Sequence, residues 1–259
     1  MAVALVIRRP PVECRHRGIR TAIGALGRHQ HIFRDIRPLD KQSVRRHFIA
    51  RRQAVPERDR SVASLQVMHH LSDVLTQYSL PAAAHIGSYL PHQHEVDPLL
   101  SLAALQSNGL RIVLPVMPEH DDGVLDFRLW RVGAWDDLSV GRHRIPVPHG
   151  PSVTPDALIV PLVAFTRRGE RLGYGGGWYD RTLKFLRKTN PTIPAIGLAF
   201  ACQEADPLPT DPWDERLTAI VTEHEVIVPD IAAAYAAQNN LKQMDITQNS
   251  SFCGAEAKA

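Results

Sequence analysis

Cysteine is scarce in this chain. The three among its 259 residues, Cys14, Cys202 and Cys253, are odd in number and far apart. They provide neither a disulfide framework nor a CxxC zinc half-site, so a reducing, cytoplasmic setting is expected. Long apolar runs are missing as well. The longest, Ala157 to Phe165, is interrupted by Pro161 and is far shorter than a bilayer span. Met1 to Ile7 lacks the basic start and the apolar length of a signal peptide, and a soluble protein with no membrane partner is expected. Two common nucleotide motifs are also absent. GxxxxGK[ST] occurs nowhere, and the GxGxxG candidate that begins at Gly173 has Trp178 where the third glycine belongs. What is present is ordinary globular material, 44% hydrophobic and 22% charged, which excludes fibrous and wholly disordered chains.

The net charge of +3 is unevenly spread. Residues 1–38 carry eight Arg against Glu13 and Asp35, a local charge of +6, leaving 22 basic and 25 acidic residues beyond them. A basic arm is one way to hold nucleic acid. This one has no Lys, and Phe33 is its only Phe, Tyr or Trp. It reads as a disordered basic extension, or as an upstream stretch translated from a mis-set start; the next Met after Met1 is Met68. Nucleic acid is not the expected partner.

Beyond the arm, periodicity sets out an alternating chain over residues 39–240. Asp40 is a candidate N-cap for a helix reaching Gln53, with Val44, Phe48 and Ile49 at helical spacing. A second helix is expected over Glu57 to Tyr78, its buried stripe being Val62, Leu65, Met68, Leu71 and Leu75. Strands are expected at His85 to Leu90, Arg111 to Val116 and, near an edge, Leu125 to Arg131. Asp97-Pro98 opens a helix between the first two, and Asn108-Gly109 closes it. Gly141 to Pro155, with four prolines, reads as loop. The continuous run from Ala157 to Phe165 has the pattern of a central strand covered on both faces. A helix at Tyr179 to Lys188, strands at Ile193 to Phe200 and Thr218 to Thr222, and a last helix at Asp230 to Gln238 complete the pattern. Residues 241–259 read as a loose tail. This order predicts a single three-layer α/β/α domain with a mostly parallel central sheet and an N-terminal helical segment.

The densest chemical signal is Arg171-Leu172-Gly173-Tyr174-Gly175-Gly176-Gly177-Trp178-Tyr179-Asp180-Arg181, between the central strand and a helix. Such a loop lets backbone N–H groups approach an anion, with a helix N-terminus behind it. It reads as a phosphate cradle, a ligand-free glycine turn being the alternative. An added methyl at Gly176 is expected to intrude on the nucleotide.

The stretch from Pro161 to Arg181 resembles the signature of the 5-formyltetrahydrofolate cyclo-ligase family. Further landmarks follow in order: Lys41-x-x-x-Arg45, Tyr89-Leu90-Pro91 with Glu95-Val96-Asp97, Leu114-Pro115-Val116, and Leu208-Pro209 before Asp214. The resemblance implies ATP- and Mg2+-dependent cyclisation of 5-formyltetrahydrofolate to 5,10-methenyltetrahydrofolate by a monomer, with ADP and phosphate released. It assigns ATP contacts to Lys41, Arg45 and Arg171 through Tyr179. Folate contacts fall to Leu90, Glu95 and Tyr174 through Trp178. Asp180 and Asp214 take the role of magnesium ligands, and no protein nucleophile is implied. The sequence departs from the family at Thr166, usually Asp, at Val147, often Glu, and at Trp178, usually Tyr. His92-x-His94 beside Glu95 has zinc-binding side chains, but no further ligands are spaced to join them, so both read as loop residues lining the folate site. A related ATP- or phosphate-binding protein of the same fold without folate cyclisation, and a nucleic-acid protein acting through the arm, are the other two readings.

Overall fold

Asp40 caps the first helix as expected. Its carboxylate accepts the Ser43 N–H at 3.0 Å, and α1 (Lys41–Gln53) follows. The computed structural model describes residues 40–120 and 123–230, so the arm, the expected helix after Asp230 and the tail lie outside the described residues. The second helix, α2, spans Glu57–Leu75. It stops short of Tyr78 because its last turn tightens: the N–H groups of Gln77 and Tyr78 bond three residues back, to Val74 and Leu75. Its buried stripe is also rotated from the expected one. Ala63, Val67, Leu71, Val74 and Leu75 face the core, whereas Val62 and Leu65 are 50% and 44% exposed. The small Ala63, not Val62, occupies the position of close approach.

The remaining elements, in chain order, begin with β1 (His85–Gly87), α3 (Leu99–Ser107), β2 (Arg111–Val116) and β3 (Asp126–Leu129). Next come β4 (Leu138–Val140), β5 (Pro146–Pro148), β6 (Ala157–Pro161), β7 (Ala164–Phe165) and β8 (Arg171–Leu172). The last are α4 (Trp178–Leu186), β9 (Ala195–Leu198), β10 (Ala219–Val221) and β11 (Val226–Ile227). Seven strands form one sheet in the order β11-β10-β9-β6-β1-β2-β3. Its interior pairs are parallel, with Ile86 opposite Ile112, Gly87 opposite Leu158 and Ile159 opposite Ile196; the two edge strands are antiparallel. The Ala157 run is the middle strand, as predicted.

Alternation along each strand builds two cores. Ile86, Ile112, Leu114, Ile159, Ile196 and Val221 pack beneath α2 and α3, while Val113, Leu158, Val160, Ala195 and Ile220 pack beneath Leu183 and Leu186 of α4. Helices thus cover both faces, giving the expected α/β/α layering. Helix α1 sits apart from these layers, its Val44 and Phe48 packed on Val163, Ala164 and Leu172 of the β7–β8 hairpin. That hairpin arises because the central strand ends at Pro161, which has no N–H to continue the ladder.

Several boundaries differ from expectation. The Gly141–Pro155 stretch is not all loop, since Pro146–Pro148 pairs with Leu138–Val140 in a two-stranded ribbon. An isolated ribbon tolerates proline because one side of each strand faces no partner. Strand β1 is shorter than expected, β11 had no recognised signal, and α4 begins one residue earlier, at Trp178. Pro98 rather than Asp97 precedes α3, with the Asp97 carboxylate accepting the Leu99 N–H at 2.9 Å. Among the described residues no helix is long and apolar enough to cross a membrane.

Candidate active site

The strand order has one reversal point. From β1 the chain moves to β2 on one side, and the later strands β6, β9 and β10 build outward on the other. The carboxyl ends of β1 and β6 therefore flank a crevice, the usual ligand position in such sheets. A cavity of about 940 Å³ opens there. Every residue that the sequence nominates for ATP, folate or metal lines it: Lys41, Arg45, Leu90, Glu95, the whole of Arg171 to Tyr179, Asp180 and Asp214.

Cations and carboxylates share its lining. Lys41 Nζ donates to Asp211 and to Asp214, each at 2.7 Å. Burial opposes this ammonium, but the two carboxylates outweigh it and hold its pKa above the usual lysine value. The four-residue spacing on α1 brings Arg45 to the same cavity, where its Nε donates to the Gly173 carbonyl at 2.7 Å. Arg171, nearly inaccessible, donates to Asp180 at 2.7 Å and to the Glu215 carbonyl, while the Glu215 N–H donates to Asp180 at 3.0 Å. Asp211 was not anticipated; its spacing from Asp214 was the available signal.

Asp180 and Asp214 form no protein cage. Among the described residues no group of three His, Cys, Asp or Glu side chains could hold a metal ion. The donor set nonetheless suits magnesium, a hard ion commonly held by one or two carboxylates together with substrate phosphates and water. Zinc is not supported: His92 lines the cavity but His94, expected there with it, does not, and among the described residues no third ligand joins them.

The glycine loop lines the cavity and is constrained by its own backbone. Gly175 and Gly177 have φ of +106° and +66°, and Gly177 directly precedes α4, whose N-terminus adds partial positive charge. A Cβ on Gly176 would meet the Trp178 ring at 2.5 Å, so the expected intrusion on a nucleotide is instead a collision within the protein. At Gly173 a Cβ would meet nothing within 4 Å. Trp178 carries the Arg181 guanidinium 4.6 Å from its ring centroid and that of Arg142 at 6.0 Å. Thr166 keeps the preceding turn closed without the usual Asp: its Oγ1 donates to Glu170 at 2.9 Å and its carbonyl accepts the Gly169 N–H at 3.0 Å.

The same cavity holds a buried carboxylate. Glu95 is 8% exposed and accepts the His92 N–H at 2.9 Å. Burial drives its pKa up to about 7, even though that hydrogen bond, the charge of Arg52 and a bond from the Tyr174 hydroxyl all favour ionisation. Burial, reinforced by the Glu95 charge, pushes Tyr174 up to about 12 and Tyr179 higher still. The Tyr179 hydroxyl is buried with no hydrogen-bond partner among the described residues. Sequence reasoning missed Arg52, whose NH2 donates to the Tyr174 hydroxyl at 2.6 Å.

Known proteins match in sequence and in fold. Residues 38–223 match the 5-formyltetrahydrofolate cyclo-ligase family. The 5-formyltetrahydrofolate cyclo-ligase of Escherichia coli K12 is 34% identical over 161 residues, 59% of this chain and 85% of that protein. The enzyme of the same name from Mycolicibacterium smegmatis is 28% identical over 197 residues, 74% of this chain and 97% of that one. Among solved structures, the 5,10-methenyltetrahydrofolate synthetase of Aquifex aeolicus superposes with a TM-score of 0.59 at 28% identity, covering 73% of this chain and 93% of that one. The Mycoplasma pneumoniae synthetase gives 0.57 at 25% identity, covering 71% and 99%. With most of the chain inside the family match and its landmarks gathered in one crevice, this protein is an enzyme of the 5-formyltetrahydrofolate cyclo-ligase family.

Proposed function

We propose that this enzyme uses ATP to close the ring of 5-formyltetrahydrofolate, giving 5,10-methenyltetrahydrofolate, ADP and phosphate. The observation that carries this reading is the lining of one cavity, in which Lys41, Arg45, Arg171 and the glycine loop share the walls with the buried Glu95. Such a lining suits an anionic phosphate chain and a ligand with N–H donors bound together. A formamide carbonyl resists attack by N10 because its oxygen is a poor leaving group. Transfer of the γ-phosphoryl group to that oxygen, with the bond to ADP breaking, creates a good one. N10 then attacks the carbon, loses its proton, and phosphate departs with the former formyl oxygen. The protein need not supply a nucleophile; it positions the reactants and neutralises charge.

Each group of residues has its task. Loop N–H groups, the α4 N-terminus, Arg45 and Lys41 bind the triphosphate, and Arg171 fixes Asp180. Asp180 and Asp214 would hold magnesium on the phosphate oxygens, where the ion supplies charge neutralisation. Glu95 accepts the N–H donors of the pterin edge. Leu90, Tyr174 and Trp178 pack on the folate. The catalyst is read as a monomer of residues 39–240 that works in the cytoplasm, and every residue given a role here lies after residues 1–38. The test is to mix the protein with 5-formyltetrahydrofolate and Mg-ATP and follow the methenyl chromophore. It should appear with ATP and not without it; no chromophore in either sample contradicts the reading.

A further inference from the structure

Arg52 is nearly inaccessible, at 1% exposure, although its neighbour Arg51 on α1 is exposed. A guanidinium keeps its charge at any working pH, and burying one is unfavourable unless its donors and charge are matched. Here the match is incomplete, because Nε has no hydrogen-bond partner among the described residues. The other nitrogens reach three segments that converge on the cavity: NH1 donates to the Leu162 carbonyl at 3.2 Å, and NH2 to the Gln93 carbonyl at 2.8 Å and the Tyr174 hydroxyl at 2.6 Å. Gln93 and His94 have φ of +47° and +63°, a conformation unfavourable for side-chain-bearing residues. The loop that Arg52 clasps is the one that presents Glu95, and both the Arg52 charge and the Tyr174 hydroxyl that accepts from it favour the ionised form of that carboxyl.

We propose that Arg52 is a positioning residue for folate: through the Tyr174 hydroxyl and the Gln93 carbonyl it fixes the loop that aims the Glu95 carboxylate toward the pterin N–H donors. The inference rests on the reading of Glu95 as the folate anchor. The groups facing Glu95 are Arg52 from α1, Tyr89 and the His92 N–H from the loop after β1, Tyr174 from the glycine loop and Tyr179 from α4. Arg52 is the only one of them with a permanent positive charge. A lysine there keeps a cation but lacks the planar fork that reaches Leu162, Gln93 and Tyr174 together, so its effect on Glu95 runs through those lost contacts and favours the protonated carboxyl.

The experiment measures equilibrium binding of 5-formyltetrahydrofolate and, separately, of Mg-ATP by the full chain at pH 6.5 and pH 8.5. The parent is compared with Arg52→Lys, and with Tyr174→Phe as the variant that breaks the relay while leaving the buried charge in place. If the Glu95 pKa rises by about one unit, folate affinity falls about tenfold at pH 6.5 and stays within about twofold of the parent at pH 8.5. Mg-ATP affinity of Arg52→Lys should stay within about twofold at both pH values. A loss of folate affinity that is equal at the two pH values marks a packing role and overturns the proposal. A parental pH profile in Tyr174→Phe overturns it even if Arg52→Lys does not fold. Parental folate binding with unchanged variants refutes this inference alone, whereas no folate binding by the parent refutes the functional reading as well.

Discussion

Replacing Glu95 by Gln should strengthen the ligand-free fold at neutral and alkaline pH while weakening folate binding. The carboxyl is 8% exposed, and burial raises its pKa from the ordinary 4.5 to about 7 on folding. Between those values the folded chain holds a proton that the unfolded chain has released, so stability falls as pH rises. The penalty is absent below about pH 4.5 and complete above about pH 7. At about 1.36 kcal/mol per pH unit it amounts to about 3 kcal/mol. Gln keeps an oxygen to accept from the His92 N–H and the Tyr174 hydroxyl, but it cannot ionise. Near pH 4.5 the parent is mostly uncharged at this position, like the variant, and the two should differ little. Urea unfolding of both proteins at pH 4.5 and pH 8 measures the difference, because groups common to both cancel. The parent should lose about 3 kcal/mol relative to Glu95→Gln over that range. Parallel stabilities, within about 0.5 kcal/mol, would refute the claim that this carboxyl is held uncomfortably in the ligand-free enzyme.

Gly173→Ala adds a methyl group that meets nothing in the ligand-free protein, so its melting temperature should hold while Mg-ATP affinity drops at least about tenfold; isothermal titration decides. Asp180→Asn retains acceptors for Arg171 and the Glu215 N–H and should fold normally, yet turnover should fall about a hundredfold, with a raised magnesium requirement in a metal titration. Lys41→Ala should weaken Mg-ATP by about tenfold and leave folate binding unchanged, as expected for a charge-assisted contact confined to one ligand. A chain beginning at Leu39 should match the full-length rate, since the family match starts at residue 38; a rate measurement on both settles it.

The glycine loop, the Lys41/Arg45 pair and the central Ala157 strand were legible because each is a local pattern whose meaning survives without its surroundings. Burial within a pattern was not. On α2 the apolar residues fit two adjacent stripes, and only packing against the sheet selects Ala63 over Val62. Arg52 illustrates the same limit at the site. In sequence it is one of several arginines on a basic helix, and its burial follows from the convergence of Leu162, Gln93 and Tyr174, which lie 41 to 122 residues away. The β4–β5 ribbon was hidden by its prolines, which argue against strands in general but not against an isolated pair.

The chemistry itself can be followed through one atom. If the γ-phosphoryl group of ATP is transferred to the formyl oxygen, that oxygen must leave as part of inorganic phosphate. The direct measurement is turnover of 5-formyltetrahydrofolate labelled with oxygen-18 in the formyl group, with mass analysis of the phosphate released. The account predicts one labelled oxygen in each phosphate, formed in step with the methenyl product. Unlabelled phosphate, with the label recovered in water, would contradict it.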